Sequence, residues 1–150
     1  MTKKISSAYL WGFILAIVAG LTAFFYETFI GFPAYIDTLP EDSTEGLGIL
    51  GIIIFGIYAA IVAAALAIML IIAYLSAKKQ PTEKIKGIAW FGIVVLFLLA
   101  IGCTFYGVLM TSVYPGGWFG KIVYFGSAIA SIVLAILNIL RLKKLNTQDE

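Results

Sequence analysis

Glu27 is the acidic residue nearest to an apolar run, following GLTAFFY at the end of the chain's first hydrophobic stretch. A carboxyl group in such a setting can take up a proton or a cation, because either one relieves the cost of an isolated negative charge. Its place at the end of the run, rather than in the middle, predicts an interfacial position within reach of water. Further along, PAYIDTLPEDSTE (residues 33–45) carries Asp37, Glu41, Asp42 and Glu45, four of the chain's eight acids. A calcium loop needs oxygen ligands at close, fixed spacing around a glycine turn. The order D-x-x-x-E-D-x-x-E does not supply it. Asp42 and Glu45 suit the start of a helix, where negative charge meets the positive end of the backbone dipole. The loop is therefore expected to be a solvated cap, with a site for a cation or a basic partner as the rival reading.

Other chemistry is sparse. The chain has no histidine, which removes the commonest general base, the usual haem ligands and most zinc sites. Cys103 is the single cysteine, so no disulfide closes within one chain and no thiol pair exists. It lies in an apolar run with no neighbouring charge and is expected to be a small buried hydrophobe. The glycines of GLGILG (Gly46, Gly48, Gly51) lack the Lys-Ser or Lys-Thr of a phosphate-binding loop. No nucleophile–base pair and no acid pair stand out, so the expectations are a non-enzyme, no cofactor and no metal. No basic tract interleaved with aromatics suggests nucleic acid.

The elements that hold these residues follow from composition. With 62% hydrophobic and 12% charged residues and a mean hydropathy of +1.05, the chain departs from soluble domains, which average about 45–50% apolar and about 25% charged. A helix crossing a bilayer needs about 20 mostly apolar residues. Four stretches qualify, at about 8–28, 47–77, 87–111 and 118–140, joined by an acidic loop at 29–46 and two shorter links. Pro33, Pro40, Pro81 and Pro115 all fall in the connections, where they break no helix. The second stretch exceeds a perpendicular span, which predicts tilt or a projecting turn. The first is longer than a signal peptide's apolar core and lacks a clean cleavage site, so it is expected to be retained.

Lys3, Lys4, Lys78, Lys79, Lys84, Lys86, Arg141, Lys143 and Lys144 would share one side of the membrane, and Lys121 alone the other. Positive charge is held on the cytoplasmic side. The expected fold is thus a single all-α domain over residues 1–150, an up-down-up-down four-helix transmembrane bundle with both termini cytoplasmic and the acidic loop outside. Trp11 and Trp90 would anchor the inner interface and Trp118 the outer. The cytoplasmic (plasma) membrane is the expected location.

Small residues mark the faces that bring helices together in lipid, where close backbone approach is the main source of attraction. The second stretch has Gly56, Ala60 and Ala64 beside Ala59, Ala63 and Ala67, all at a spacing of four. The first has Gly12, Ala16 and Gly20; the fourth has Gly126 with Ala130, and Ser127, Ser131 and Ala135. These faces either join the chain's own helices or dock another membrane protein or a second copy. Tyr58, Thr104, Tyr106 and Asn138 are expected to bond between helices, with Asn138 near enough to Arg141 to be hydrated. KKISSAYLWGFILAIVAGLTAFFY and EKIKGIAWFGIVVLFLLAIGCTFY echo one another, but apolar alphabets are small and coincidence is the preferred reading.

Three functions remain, in this order: a non-catalytic accessory or assembly subunit, or protective partner, working by helix association; a small oligomeric transporter or channel that attracts cations through Glu27 and the acidic loop; and an enzyme acting on lipid through Asp37 or Glu41. The partners expected are the lipid bilayer and another membrane protein or the chain itself, with no nucleic acid.

Overall fold

The computed structural model describes residues 2–31, 33, 48–79, 85–113 and 118–149. The described residues are almost wholly helical. Helix α1 is Thr2–Leu21 and runs on into a π-helical segment, Thr22–Gly31. Helices α2, α3 and α4 are Gly48–Lys79, Ile85–Val113 and Trp118–Asp149. Four stretches of 26 to 28 residues, Lys4–Ile30, Ile53–Lys79, Ile85–Ser112 and Phe119–Lys144, are long and apolar enough to cross a membrane. At 1.5 Å per residue each reaches about 40 Å, more than the roughly 30 Å of hydrocarbon.

Two helices outrun their expected ends, for reasons hydropathy does not register. Helix α1 starts at Thr2, well before Ala8, because Ile5, Ser6 and Tyr9 are buried in the bundle and need helical spacing to get there. Helix α4 continues past Leu140 to Asp149, with Leu142 buried and Arg141 bonded to the Lys4 carbonyl at 2.7 Å. It equals α2 in length, both having 32 residues.

The most extensive packing joins α1 to α2 and α3 to α4. Contacts between α2 and α3 and between α1 and α4 are fewer, and α1 also touches α3. The core lies along these seams and is built from Ala16, Ala67, Leu70, Ala89, Leu96, Leu99 and Ala135. Large apolar side chains such as Ile61, Ile101, Phe105 and Ile122 point away from it. In water such a surface would associate; hydrocarbon solvates it.

The small faces of α1 and α2 meet. A Cβ added at Gly20 would lie 2.8 Å from Ala63 Cβ, and one at Gly56 would lie 3.1 Å from the Ala23 carbonyl oxygen. Gly12 abuts Leu70 and Leu96. Ala16 and Ala67 are buried, Ala59, Ala60 and Ala63 are half-buried, and Ala64 is exposed on the far side of the stripe. In α4, Ser127, Ser131 and Ala135 are buried while Gly126 faces outward.

Candidate functional site

The first helix carries a polar group into the bundle at its far end. Glu27 sits in the π-helical segment and is 1% exposed. The expectation that it reaches water is therefore corrected: the carboxyl group faces inward. Part of the signal, the side of the helix, was present in the sequence. Glu27 lies eleven residues after Ala16 and seven after Gly20, so helical spacing continues the Gly12–Ala16–Gly20 face through Ala23 to Glu27. Hydropathy, which reads only averages, gives its place near the end of the span and not the direction of its side chain.

Neighbouring helices supply the surroundings of that carboxyl group. The Tyr124 hydroxyl of α4 donates to Glu27 Oε1 at 2.9 Å. The Tyr106 hydroxyl of α3 donates to the Ala23 carbonyl at 3.3 Å, one turn back along the same segment. The two tyrosine rings meet edge to face, with centroids 5.0 Å apart, an arrangement that ring quadrupoles favour. Gly120 makes the room: a Cβ there would collide with Glu27 Oε1. Tyr26, beside it, packs against Phe119 with centroids 5.0 Å apart. Thr28 Oγ1 is buried with no hydrogen-bond partner. Ala23, Tyr106, Met110 and Tyr124 form a small core of their own, distinct from the main one.

π-helical turns are uncommon and recur at functional positions, because their wider winding re-aims side chains and frees carbonyls from the regular ladder. Here the segment holds both Ala23, whose carbonyl takes the Tyr106 hydroxyl, and Glu27. Gly56 of α2 lies against the backbone of Ala23 and Phe24, so α2 presses on the segment from its other side.

Next to this cluster is a cavity of about 230 Å³ between α1, α2 and α3, with Tyr106 and Tyr124 among its lining residues. Its wall is apolar and includes Ala59, Ala63, Gly102 and Cys103. Cys103 is a free, buried thiol, as its apolar setting predicts.

At the opposite end the polar groups are arranged differently. Tyr9 donates to the Ala89 carbonyl at 2.6 Å, and Gly92 leaves space for its ring. Asn138 is fully buried and donates to the Ile5 carbonyl at 3.2 Å, while Arg141 donates to Asn138 Oδ1 at 2.9 Å. Asn138 is thus enclosed rather than hydrated. Tyr58 and Thr104, expected to bond between helices, lie exposed on the apolar surface.

Asp37, Glu41, Asp42 and Glu45 lie outside the described residues, as do the GLGILG glycine Gly46 and the links that carry Pro40, Pro81 and Pro115. Among the described residues, no group of three or more His, Cys, Asp or Glu comes together to hold a metal ion. Fold and site define an all-helical protein with four potential membrane spans and a buried carboxyl group among phenols. No family model, no curated protein and no solved structure matches the chain.

Proposed function

We propose that the chain is an integral protein of the cytoplasmic membrane that binds a proton or a small cation at Glu27, as a small oligomeric transporter or channel would. The carrying observation is the burial of Glu27 against Tyr124 within a candidate span. A carboxyl group taken from water into apolar surroundings is costly, and more so when ionised. Tyr124 donates one of the interactions that hold this carboxyl group. Taking up a proton removes the charge, and a bound cation balances it, so either would lower the cost of holding the group in apolar surroundings.

The reading includes an up-down-up-down bundle with both termini cytoplasmic. Its support is that residues early in α1 meet residues late in α2 and α4 and early in α3. Gly12 abuts Leu70, Ile5 accepts from Asn138, and Tyr9 bonds to Ala89. In the π-helical segment that follows α1 the partners reverse, with Ala23 against Gly56, early in α2, and Glu27 bonded to Tyr124, early in α4. The lysine asymmetry then sets the basic end inside and Glu27 toward the outer leaflet.

A second reading is association with another membrane protein, or with a second copy, as an accessory or assembly subunit. It is favoured by α2, the least covered helix. Of the most apolar stretch in each helix, 22% is buried in α2 against 50% in α3. Ala64, with Ile61 and Ile68 alongside, lies on the uncovered face. It ranks second because most of the small stripe is already engaged with α1. The lipid-enzyme reading rests on Asp37 and Glu41 and gains no support from the helices.

The test is purification in gentle detergent followed by reconstitution into vesicles. Protein alone should pass protons or potassium ions, and Glu27→Gln at equal incorporation should abolish the flux. Full flux in that variant would end the cation reading. No flux from the wild type, with an unrelated membrane protein co-purifying in stoichiometric amount, would put the second reading in its place.

A further inference from the structure

The cavity beside Glu27 combines three properties that together select a ligand. The first is size. At about 230 Å³ it exceeds the roughly 150 Å³ engineered cavity that binds benzene, which suits a fused two-ring group. The second is access. Phe55, Tyr58 and Phe105 line the cavity and are also exposed on the outer surface, Phe105 at 68%. They belong to α2 and α3, a pair that packs less extensively than α1 with α2. The mouth therefore opens sideways, toward acyl chains, and a ligand must first dissolve in the membrane. The third is charge. Tyr106 and Tyr124 are among the residues that line the cavity, and the Tyr124 hydroxyl donates to Glu27 Oε1 at 2.9 Å. Aromatic rings attract cations, most strongly where water is excluded, and the Glu27 carboxyl group, bonded to one of these two tyrosines, adds to that attraction when ionised.

We propose that this cavity binds a lipophilic organic cation with a flat head of about two fused rings, entering from the lipid between α2 and α3, with Tyr124 coupling it to Glu27. The inference rests on the reading of Glu27 as a cation site and names the class of cation. A lipid acyl chain would fill the same space but would be indifferent to Glu27, and that difference separates the two occupants.

The experiment titrates N-methylquinolinium, and separately its uncharged counterpart 1-methylnaphthalene, into the full chain held in phosphatidylcholine nanodiscs. The wild type should bind the cation about tenfold more tightly than the neutral ring, or better. Glu27→Gln should remove the preference while leaving binding of 1-methylnaphthalene unchanged, and Tyr124→Phe should reduce it. Gly102→Leu is the second, independent variant. Gly102 lines the cavity, and a Cβ there meets nothing within 4 Å, so a larger side chain can start from that position without a clash and is expected to occupy the space. It should weaken both ligands about tenfold or more. Equal affinity for the two rings in the wild type would overturn the proposal, as would binding that survives Gly102→Leu or a preference that survives Glu27→Gln. Proton or potassium flux that depends on Glu27 without any binding of the probe would overturn this inference and leave the proposed function standing. Probe binding that depends on Glu27, with no flux, would do the reverse for transport.

Discussion

Where α1 begins, three polar side chains cross between helices to the main chain. Tyr9 donates to Ala89, Asn138 to Ile5 and Arg141 to Lys4, all at carbonyl oxygens. Where that helix ends, the central acceptor is instead the carboxyl group of Glu27, with Tyr124 as donor, in a segment wound as a π-helix and beside a cavity. A helical carbonyl has a spare lone pair and a fixed position, so such bonds tie helices together and cannot change charge. A carboxyl group alternates between acceptor only and donor plus acceptor as its proton comes and goes. One end is built to hold position. The other contains a group whose hydrogen bonding can be rewritten.

A glycine at each end accommodates the key side chain, so alanine at each should test the contrast, and here the largest effect is expected. A Cβ at Gly92 would collide with the Tyr9 ring, which cannot retreat while its hydroxyl is held 2.6 Å from the Ala89 carbonyl. Overpacking of this kind costs about 1–3 kcal/mol, and Gly92→Ala should show it as an earlier midpoint on unfolding in mixed detergent micelles. At Gly120 the added atom meets Glu27 Oε1, the tip of a longer side chain. Gly120→Ala should cost less stability and yet lower Glu27-dependent flux. Equal stability losses in the two variants would dissolve the distinction between the ends.

The tyrosine hydroxyls sharpen it at a smaller scale. Both Tyr9 and Tyr106 donate to backbone carbonyls, at 2.6 Å and 3.3 Å. Interhelical hydrogen bonds within membranes average about 0.6 kcal/mol and reach about 1.7 kcal/mol. The short bond belongs near the top of that range and the long one below its mean. In the same unfolding assay Tyr9→Phe should therefore lose more than Tyr106→Phe. The reverse order would mean that the phenols around Glu27 stabilise the fold as much as the clasp at the other end does.

Hydropathy made the spans legible because span length is set by a bilayer thickness that only apolar runs can match. It missed Thr2–Ser7 and residues 141–149, where helix continues for reasons of burial and carbonyl bonding rather than apolarity. The small residues of α1 and α2 were legible as faces, since spacing by four fixes a side of a helix. That Gly20 would meet Ala63, and Gly56 the Ala23 carbonyl, was not, because a face does not name its partner. Glu27 was legible as a candidate by residue type. Its enclosure required knowing that α3 and α4 turn Tyr106 and Tyr124 toward it, and that Thr22–Gly31 winds as a π-helix, neither of which a hydrophobic average encodes. The cavity left no trace in the sequence, since empty space is a property of assembled helices.

Two buried hydroxyls carry the contrast to its smallest effect. Ser131 Oγ and Thr28 Oγ1 are both enclosed without a hydrogen-bond partner. An unsatisfied buried hydroxyl is a cost, and replacing it with an apolar group of similar shape is close to neutral or stabilising. Ser131 lies on the buried stripe of α4 with Ala135, away from Glu27, and Ser131→Ala should leave flux unchanged while stability holds or rises by up to about 1 kcal/mol. Thr28 is the residue after Glu27, in the same π-helical segment. Thr28→Val should match that stability gain but lower Glu27-dependent flux, because its unpartnered hydroxyl lies in the π-helical segment that holds Glu27. Unchanged flux in Thr28→Val would make its hydroxyl equivalent to that of Ser131, and would confine the changeable end of the molecule to Glu27 and its tyrosines.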